Sequence, residues 1–238
     1  MTENIRIDIH VCTYNEELMM PHFMEYYTKI ASNIYVHDNG STDNTIKIAK
    51  EYGSIVDIME NNQFDDYQNV RYKQNGYYKS NTCDYVFMLD CDEFIVHNDL
   101  IGKLKWCLNN NILVPTMLGY DMVYDNFDYY NNKISDVIHG VQLPCGKPCV
   151  VKANQEIEYF LGCHHLIKPI QEPYDDPDPL KFLHMKYLNL DVLVDRHVKL
   201  RSRFPVSYIK SGIGWHYFGD GFVIKQYMEN KEKAIKVL

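Results

Sequence analysis

Two aspartates one residue apart, in Asp90-Cys91-Asp92-Glu93-Phe94, follow the apolar run Tyr85-Val86-Phe87-Met88-Leu89. Such a run reads as a buried strand, so the pair stands where a strand ends. Two carboxylates at that spacing can turn toward one hard divalent cation, Mn²⁺ or Mg²⁺. A cation held there would clamp a diphosphate and stabilise its charge as it departs. Alone, a D-x-D string is more often a solvated acidic turn; the strand in front favours a site. Two other carboxylate chemistries fail on residue type. A calcium loop would need an oxygen ligand where Phe94 stands and a glycine next. The D-x-D-x-[TV] of an aspartate-nucleophile phosphatase is broken by the same Phe94. Glycine loops of the G-x-x-x-x-G-K-[ST] or G-x-G-x-x-G kind are absent, which disfavours P-loop enzymes and dinucleotide binders.

The elements that must position this pair can be read from periodicity. Ile5, Ile7, Ile9 and Val11 alternate with polar residues as a first strand, broken by Thr13-Tyr14-Asn15-Glu16. Met19, Phe23, Tyr26, Tyr27 and Ile30 follow at helical spacing. Asn33–His37 is a second strand ending on Asp38, and Asn39-Gly40 is a turn before a helix that carries Ile46 and Ala49. Ser41 or Thr42 can cap that helix, and Asp43 reads as a helper of the cap. Ile55–Met59 is a third strand, Tyr67–Lys79 a helix bearing Arg71, and Asp84–Leu89 a fourth strand. A helix through Leu100, Leu104 and Leu108 and a strand at Ile112–Met117 follow.

Strands alternating with helices predict a mostly parallel sheet with both faces covered, in which ligands bind beyond the carboxyl ends of the strands. Thr13–Glu16, Asp38 and Asp90–Glu93 all fall at such ends. Past Gly119 the rhythm is lost. Residues 120–180 read as long loops or an irregular lid, Leu188–Leu200 as a helix, and Phe222–Leu238 as an amphipathic terminal helix.

Three segments carry a family resemblance: Cys12-Thr13-Tyr14-Asn15-Glu16, Tyr35-Val36-His37-Asp38-Asn39-Gly40-Ser41-Thr42-Asp43 and Leu89-Asp90-Cys91-Asp92-Glu93-Phe94. In content and order they resemble family 2 glycosyltransferases, within them the bacterial and viral branch whose motif reads D-x-D-E-F. The resemblance is strong over the first half and fragmentary over the second. It implies a GT-A, Rossmann-like fold: a mostly parallel mixed sheet flanked by helices, with an irregular C-terminal acceptor side. One domain, 1–238, is expected, with 1–118 as the nucleotide-sugar half and 119–238 as the acceptor half. The implied activity is metal-dependent, inverting transfer of a sugar from a nucleoside diphosphate, a UDP-sugar, to a hydroxyl on a glycan or glycoconjugate. A non-catalytic sugar-nucleotide or glycan binder and a nucleotidyltransferase are the alternatives.

The same resemblance implies roles. Thr13, Tyr14, Asn15 and Glu16 would line the nucleoside pocket, Asp38 would contact the base, and Arg71 would lie near the nucleotide. Asp90 and Cys91 would face the donor, with Asp90 on the ribose and metal side and Asp92 on the metal itself. A late histidine completes the cation site in this family, His184 as first choice and His216 as its rival. His164, in Gly162-Cys163-His164-His165, resembles an acceptor-side segment. With Cys145 and Cys149 that segment has a weaker zinc reading. From their chemistry, Arg196, Arg201 and Arg203 could neutralise a diphosphate, since guanidinium matches phosphate oxygens bidentately. A solvated helix face is the competing view of all three. Asp121 is the candidate base for the acceptor hydroxyl, with Asp125, Glu156 and Glu158 as rivals.

A formal net charge of −8 over 238 residues argues against nucleic acid as a partner, because such a protein needs a basic face. No signal peptide and no apolar run of membrane-span length are visible. Scattered cysteines point to a reducing setting. The expected location is therefore cytoplasmic, in a bacterium or in a virus-infected host cell, with peripheral membrane contact left open.

Overall fold

The computed structural model describes residues 5–59, 76, 79, 82–160, 163–204, 206–212 and 219–238. The helix expected over Tyr67–Lys79, with Arg71, lies outside the described residues, as does His216.

The first strand, β1 (Ile7–Thr13), puts Ile7, Ile9 and Val11 on one face, all without solvent exposure. Its other face carries Asp8 and His10, also buried, where Asp8 accepts from Asn33 and Thr82 and His10 meets His37. Helix α1 (Met20–Tyr27) lays Phe23, Met24 and Tyr27 against the apolar face. Strands β2 (Asn33–Asp38), β3 (Ile55–Ile58) and β4 (Tyr85–Asp90) run parallel to β1, and helix α2 (Thr45–Glu51) connects β2 to β3. Short β8 (Val150–Lys152) closes the edge antiparallel to β4, giving the order β3-β2-β1-β4-β8. The mostly parallel α/β sheet expected from the sequence is thus present.

The chain then changes sheets. β4 ends on Asp90, Cys91 and Asp92 turn, and β5 (Glu93–Val96) begins a second sheet of five strands, at whose edge it lies. Its centre is β6 (Met117–Val123) parallel to β9 (Leu180–Tyr187). β7 (His139–Gln142) and β10 (Ile235–Lys236) extend one side. Helix α3 (Leu100–Asn109) is capped by Asp99, whose side chain accepts from the Gly102 amide at 2.9 Å. Helices α4 (Leu190–Arg201), α5 (Val206–Ser211) and α6 (Asp220–Lys233) come last. One hydrophobic cluster runs through both sheets, from Ile7 and Phe87 to Phe94, Met122 and Phe182. Among the described residues no helix is long and apolar enough to cross a membrane.

Three expectations need correction. The strand expected at Ile112–Met117 begins only at Met117, because Pro115 has no amide to give a ladder. The span 120–180 is not all loop: it holds most of β6 together with β7 and β8, two strands of four and three residues, too short to show an alternation. The terminal helix stops at Lys233, and Ile235–Lys236 pairs with β7 as a strand.

β5 is the edge of its sheet, so its outward backbone groups need partners. Helix α1 supplies them. The Tyr27 hydroxyl accepts from the Ile95 amide at 2.9 Å and donates to the Glu93 carbonyl at 3.0 Å, while Tyr26 donates to the Ile95 carbonyl at 2.7 Å. Tyr27 also stacks on Phe94. The Tyr27→Phe change keeps the ring and removes only the hydroxyl from the Ile95 amide and Glu93 carbonyl. It is expected to cost about 1–3 kcal/mol in urea unfolding. A loss within a few tenths of wild type would contradict this account of the edge.

Candidate active site

The carboxyl ends of β1, β2 and β4 lie side by side, with Thr13 paired in register with Asp38 and Cys12 with Asp90. Asp38, which has no exposed surface, organises the loop after it: its Oδ2 accepts from the amides of Gly40 (3.0 Å) and Ser41 (2.9 Å). The Thr13 hydroxyl reaches its other oxygen at 3.4 Å. This loop is laced to the one after β1. Asn15, at φ 53°, gives its amide to Ser41 Oγ at 2.8 Å and accepts from the Thr42 amide at 2.7 Å. The Glu16 amide donates to Thr45 Oγ1 at 2.7 Å, and Asp43 accepts from the Thr45 and Glu17 amides. Thr13 and Asn15 therefore shape the rim as well as line it.

At the turn between the sheets, Asp92 is buried with 1 % of its surface exposed. Its Oδ2 meets two cations, the Arg196 guanidinium and His184 Nε2, the latter at 3.3 Å. Arg196 also pairs with Glu16 at 3.0 Å, so one residue of α4 joins the first loop to the motif. Strand register explains His184: β9 sets it opposite Glu93 on one side and Asp121 on the other. His184 Nδ1 donates to Asp121 Oδ1 at 2.8 Å, and Lys186 stands 3.9 Å from the other Asp121 oxygen. Asp90 is handled separately. Its Oδ2 accepts from Lys147 at 2.9 Å, Lys147 also binds Glu93, and Glu93 Oε2 accepts from the Asp90 amide at 2.9 Å. The segment just past α4 covers the rim at Tyr14 and Asn39. The Arg203 guanidinium lies 3.4 Å over the Tyr14 ring and donates to the Asn39 carbonyl at 3.0 Å. A cavity of about 100 Å³ opens between the first loop and α4, lined by Glu16, Met19, Tyr129, Lys186, Arg196 and Lys199 among others.

These contacts set the protonation states. Burial would push the Asp92 carboxyl up, but the charges of Arg196 and then His184 hold it well below the usual carboxylate range. Burial would discharge His184; Asp92, then the hydrogen bond to Asp121, raise its ring to about 10. Asp121 is lowered despite its own burial, chiefly by the bond from His184. Glu16 goes the other way. Burial lifts it to about 7 against the pull of Arg196, with Asp92 and Asp90 adding to the rise.

A divalent cation would fit between Asp92 and His184 only on displacing the His184 Nε2 proton and the Arg196 guanidinium, because a ligating imidazole must be neutral. Asp92 Oδ2 and His184 Nε2 stand 3.3 Å apart, near the roughly 3 Å between adjacent ligands of an octahedral ion with bonds of about 2.1 Å. Carboxylate oxygen with imidazole nitrogen suits Mn²⁺ and is acceptable to Mg²⁺. Asp121 behind His184 is placed as the carboxylate that would orient a ligating imidazole. Among the described residues no three His, Cys, Asp or Glu side chains gather into a ready-made ligand set. That holds for Asp90, Asp92 and His184, and for the cysteines near His164.

Asp92, His184 and Asp121 form one chain of contacts, while Asp90, expected beside Asp92 and His184 at one cation, pairs with Lys147 instead; Thr13, Asn15, Glu16 and Asp38 lie along the same rim. Asp121, expected as a base, is bonded to His184. Cys91 turns its thiol into the core, where burial raises it well above its usual range. His164 is exposed beside Cys163, which packs in the smaller cluster with Val86 and Met88 on the opposite face of β4. Arg203 reaches Tyr14, and Arg201 ends α4. Sequence reasoning missed Lys147. Its signal was the Gly146-Lys147-Pro148 run, a lysine between two residues that constrain the backbone.

The family model "Glycosyl transferase family 2" matches residues 8–136, just over half of the chain's 238 residues. No curated protein matches it. Among solved structures it is similar to S. aureus TarS, at 14% identity over 82% of this chain and 40% of that one, with a TM-score of 0.43. The chain thus spans well under half the length of that protein. The 1–349 portion of TarS in complex with UDP gives 12% identity, 92% and 72% coverage and a TM-score of 0.45. Glucosyl-3-phosphoglycerate synthase from Mycobacterium tuberculosis, solved with Mn²⁺, UDP and glucosyl-3-phosphoglycerate, gives 18% identity, 48% and 43% coverage and a TM-score of 0.31.

The His184 shift has a sign that can be tested in metal-chelated protein. A ring titrating near 10 in the fold and near 6.5 in the unfolded chain stabilises the fold fully below about pH 6.5. That stabilisation drains away as pH rises toward 10. His184→Gln is expected to flatten the fall in stability between those limits, measured by urea unfolding in EDTA. An unchanged slope would show that the ring is not held as a cation.

Proposed function

The chain belongs to glycosyl transferase family 2, and we propose that it moves a sugar from a UDP-sugar to a hydroxyl of a glycan or glycoconjugate, aided by Mn²⁺ or Mg²⁺. One observation carries this reading: the buried Asp92 carboxylate meets the His184 imidazole at the end of the strand that carries the acidic motif. Asp92 and His184 would hold the cation, and a bound cation would supply charge to stabilise the departing diphosphate. UDP as the donor nucleotide and inversion are read from the family resemblance, in which Asp38 matches the aspartate that contacts the base. The single 1–238 domain also remains a proposal, supported by the one core that runs through both sheets.

The chain's own groups divide the work. Asp38 and Thr13 form the base-side rim, and Tyr14 offers it an aromatic face. Asp90 faces the ribose side, fixed through Lys147. Arg196 holds Asp92 and Glu16 by charge. With a cation on that Asp92 oxygen, Arg196 would be available to diphosphate oxygens, which its guanidinium matches bidentately. Asp121 serves as a positioning residue: a carboxylate held below its usual range and bonded to His184 is a weak proton acceptor.

The Arg196 contact with Asp92 favours a second reading, a binding module that no longer turns over its donor. Release of UDP from a UDP-sugar by the wild-type chain with Mn²⁺ decides between them. In that assay Asp92→Asn should lose roughly a thousandfold or more, since the cation contributes several kcal/mol to the transition state. Its circular dichroism should match wild type. Full activity of this variant in saturating Mn²⁺ would remove the mechanism.

A further inference from the structure

Lys147 occupies a position that needs a reason. It is 6 % exposed, and its ammonium lies between two carboxylates of the acidic motif, Asp90 at 2.9 Å and Glu93, itself 3 % exposed. Glu93 closes a ring by accepting from the Asp90 amide. Charges taken so far out of water are costly unless paired in good geometry, as these are. Burial opposes the lysine's charge, and Asp90 and Glu93 together raise it well above its usual value, so it stays an ammonium.

The backbone around Lys147 is built to deliver it. A Cβ on Gly146 would stand 2.3 Å from the Met117 carbonyl oxygen, and one on Gly119 would stand 2.8 Å from the Cys145 carbonyl. Only glycine lets the loop press this closely on β6. The Leu143 amide binds the Gly119 carbonyl at 2.8 Å, and Tyr159 donates to the Pro148 carbonyl at 2.8 Å, so the loop is tied on both sides of the lysine. The two aspartates of one motif therefore meet different cations. Asp92 has a guanidinium on α4 and an imidazole at cation-ligand spacing, whereas Asp90 has an ammonium wedged beneath it.

We propose that Lys147 is a positioning residue that reserves Asp90 for the donor: it neutralises and orients that carboxylate so that the divalent cation rests on Asp92 and His184. The inference builds on the metal site assigned under the proposed function. Without the ammonium, Asp90 becomes a competitor for the ion, and the donor loses a fixed hydrogen-bond partner. A lysine that only filled space would leave ion binding unmoved.

The test is a cycle of Mn²⁺ affinities, measured by titration with electron paramagnetic resonance on the full chain, with no donor present. Wild type should bind Mn²⁺, and Asp92→Asn should weaken binding by about a hundredfold. Asp90→Asn should change it by less than about fivefold, because that residue is no ligand. Lys147→Met should bind Mn²⁺ about tenfold tighter, since a carboxylate has been added to the ion, and Lys147→Met/Asp90→Asn should return to within about fivefold of wild type. In a parallel kinetic readout, Lys147→Met should raise the KM for the UDP-sugar more than it lowers kcat. If Lys147→Met does not fold, Lys147→Met/Glu93→Gln keeps the net charge of the ring and still strips Asp90 of its ammonium. The same gain in affinity is expected of it. Two results overturn the proposal: Asp90→Asn as damaging to ion binding as Asp92→Asn, or no gain in the lysine variants. Failure of wild type to bind Mn²⁺ at all would sink the metal site itself, a result distinct from either.

Discussion

A carboxylate with 1 % of its surface exposed cannot keep its charge without compensation, and Asp92 keeps it through Arg196 and His184. Removing either partner would leave a buried charge under-compensated, at a cost of about 3–5 kcal/mol. The rest of the site follows from meeting that demand. Arg196 brings α4 across the first loop through Glu16; His184 brings β9 and, behind it, Asp121 on β6. Burial that would be a liability in a structural residue is useful at a site, because a desolvated carboxylate binds a cation more strongly than a solvated one.

Asp92 is where it is because the chain changes sheets there. β4 runs through the first sheet and β5 opens the second, so the two-residue turn between them is flanked by both. The Met185 amide binds the Asp92 carbonyl at 2.8 Å, which fixes the turn to β9. Edge strand β5 is held on its other side by Tyr26 and Tyr27 of α1. Helix α1 thus reaches the motif through two hydroxyls, and the loop before it reaches the motif through Glu16. The rim at Tyr14 is joined to the same helix that carries Arg196, since Arg203 just beyond α4 stacks on Tyr14.

The first half of this arrangement was legible because its signals are local. Ile7, Ile9 and Val11 alternate, Tyr85–Leu89 form an uninterrupted apolar run, and Asp38 and Asp90 stand at the ends of their strands. The family motifs are of the same kind, and the family match stops at residue 136. The second half builds its part of the site from distant pairings. Asp121 and His184 meet through the register of β6 and β9, and Lys147 meets Asp90 through a loop pressed against Met117. No window of sequence contains both members of such a pair. Asp121 therefore read as a lone acid open to the role of base, when its neighbour across the sheet is what constrains it. β7 and β8 escaped for a related reason: strands of four and three residues are held by ladder partners, not by their own periodicity.

The central claim is that a divalent cation is held by Asp92 and His184 beside a nucleoside diphosphate. Anomalous diffraction from crystals grown with Mn²⁺ and UDP tests it directly. The account predicts one manganese peak within bonding distance of Asp92 Oδ2 and His184 Nε2, with Arg196 moved off Asp92 and the uracil along the Asp38 rim. Manganese bound elsewhere, or UDP bound with Arg196 still on Asp92 and no metal at that turn, would contradict it.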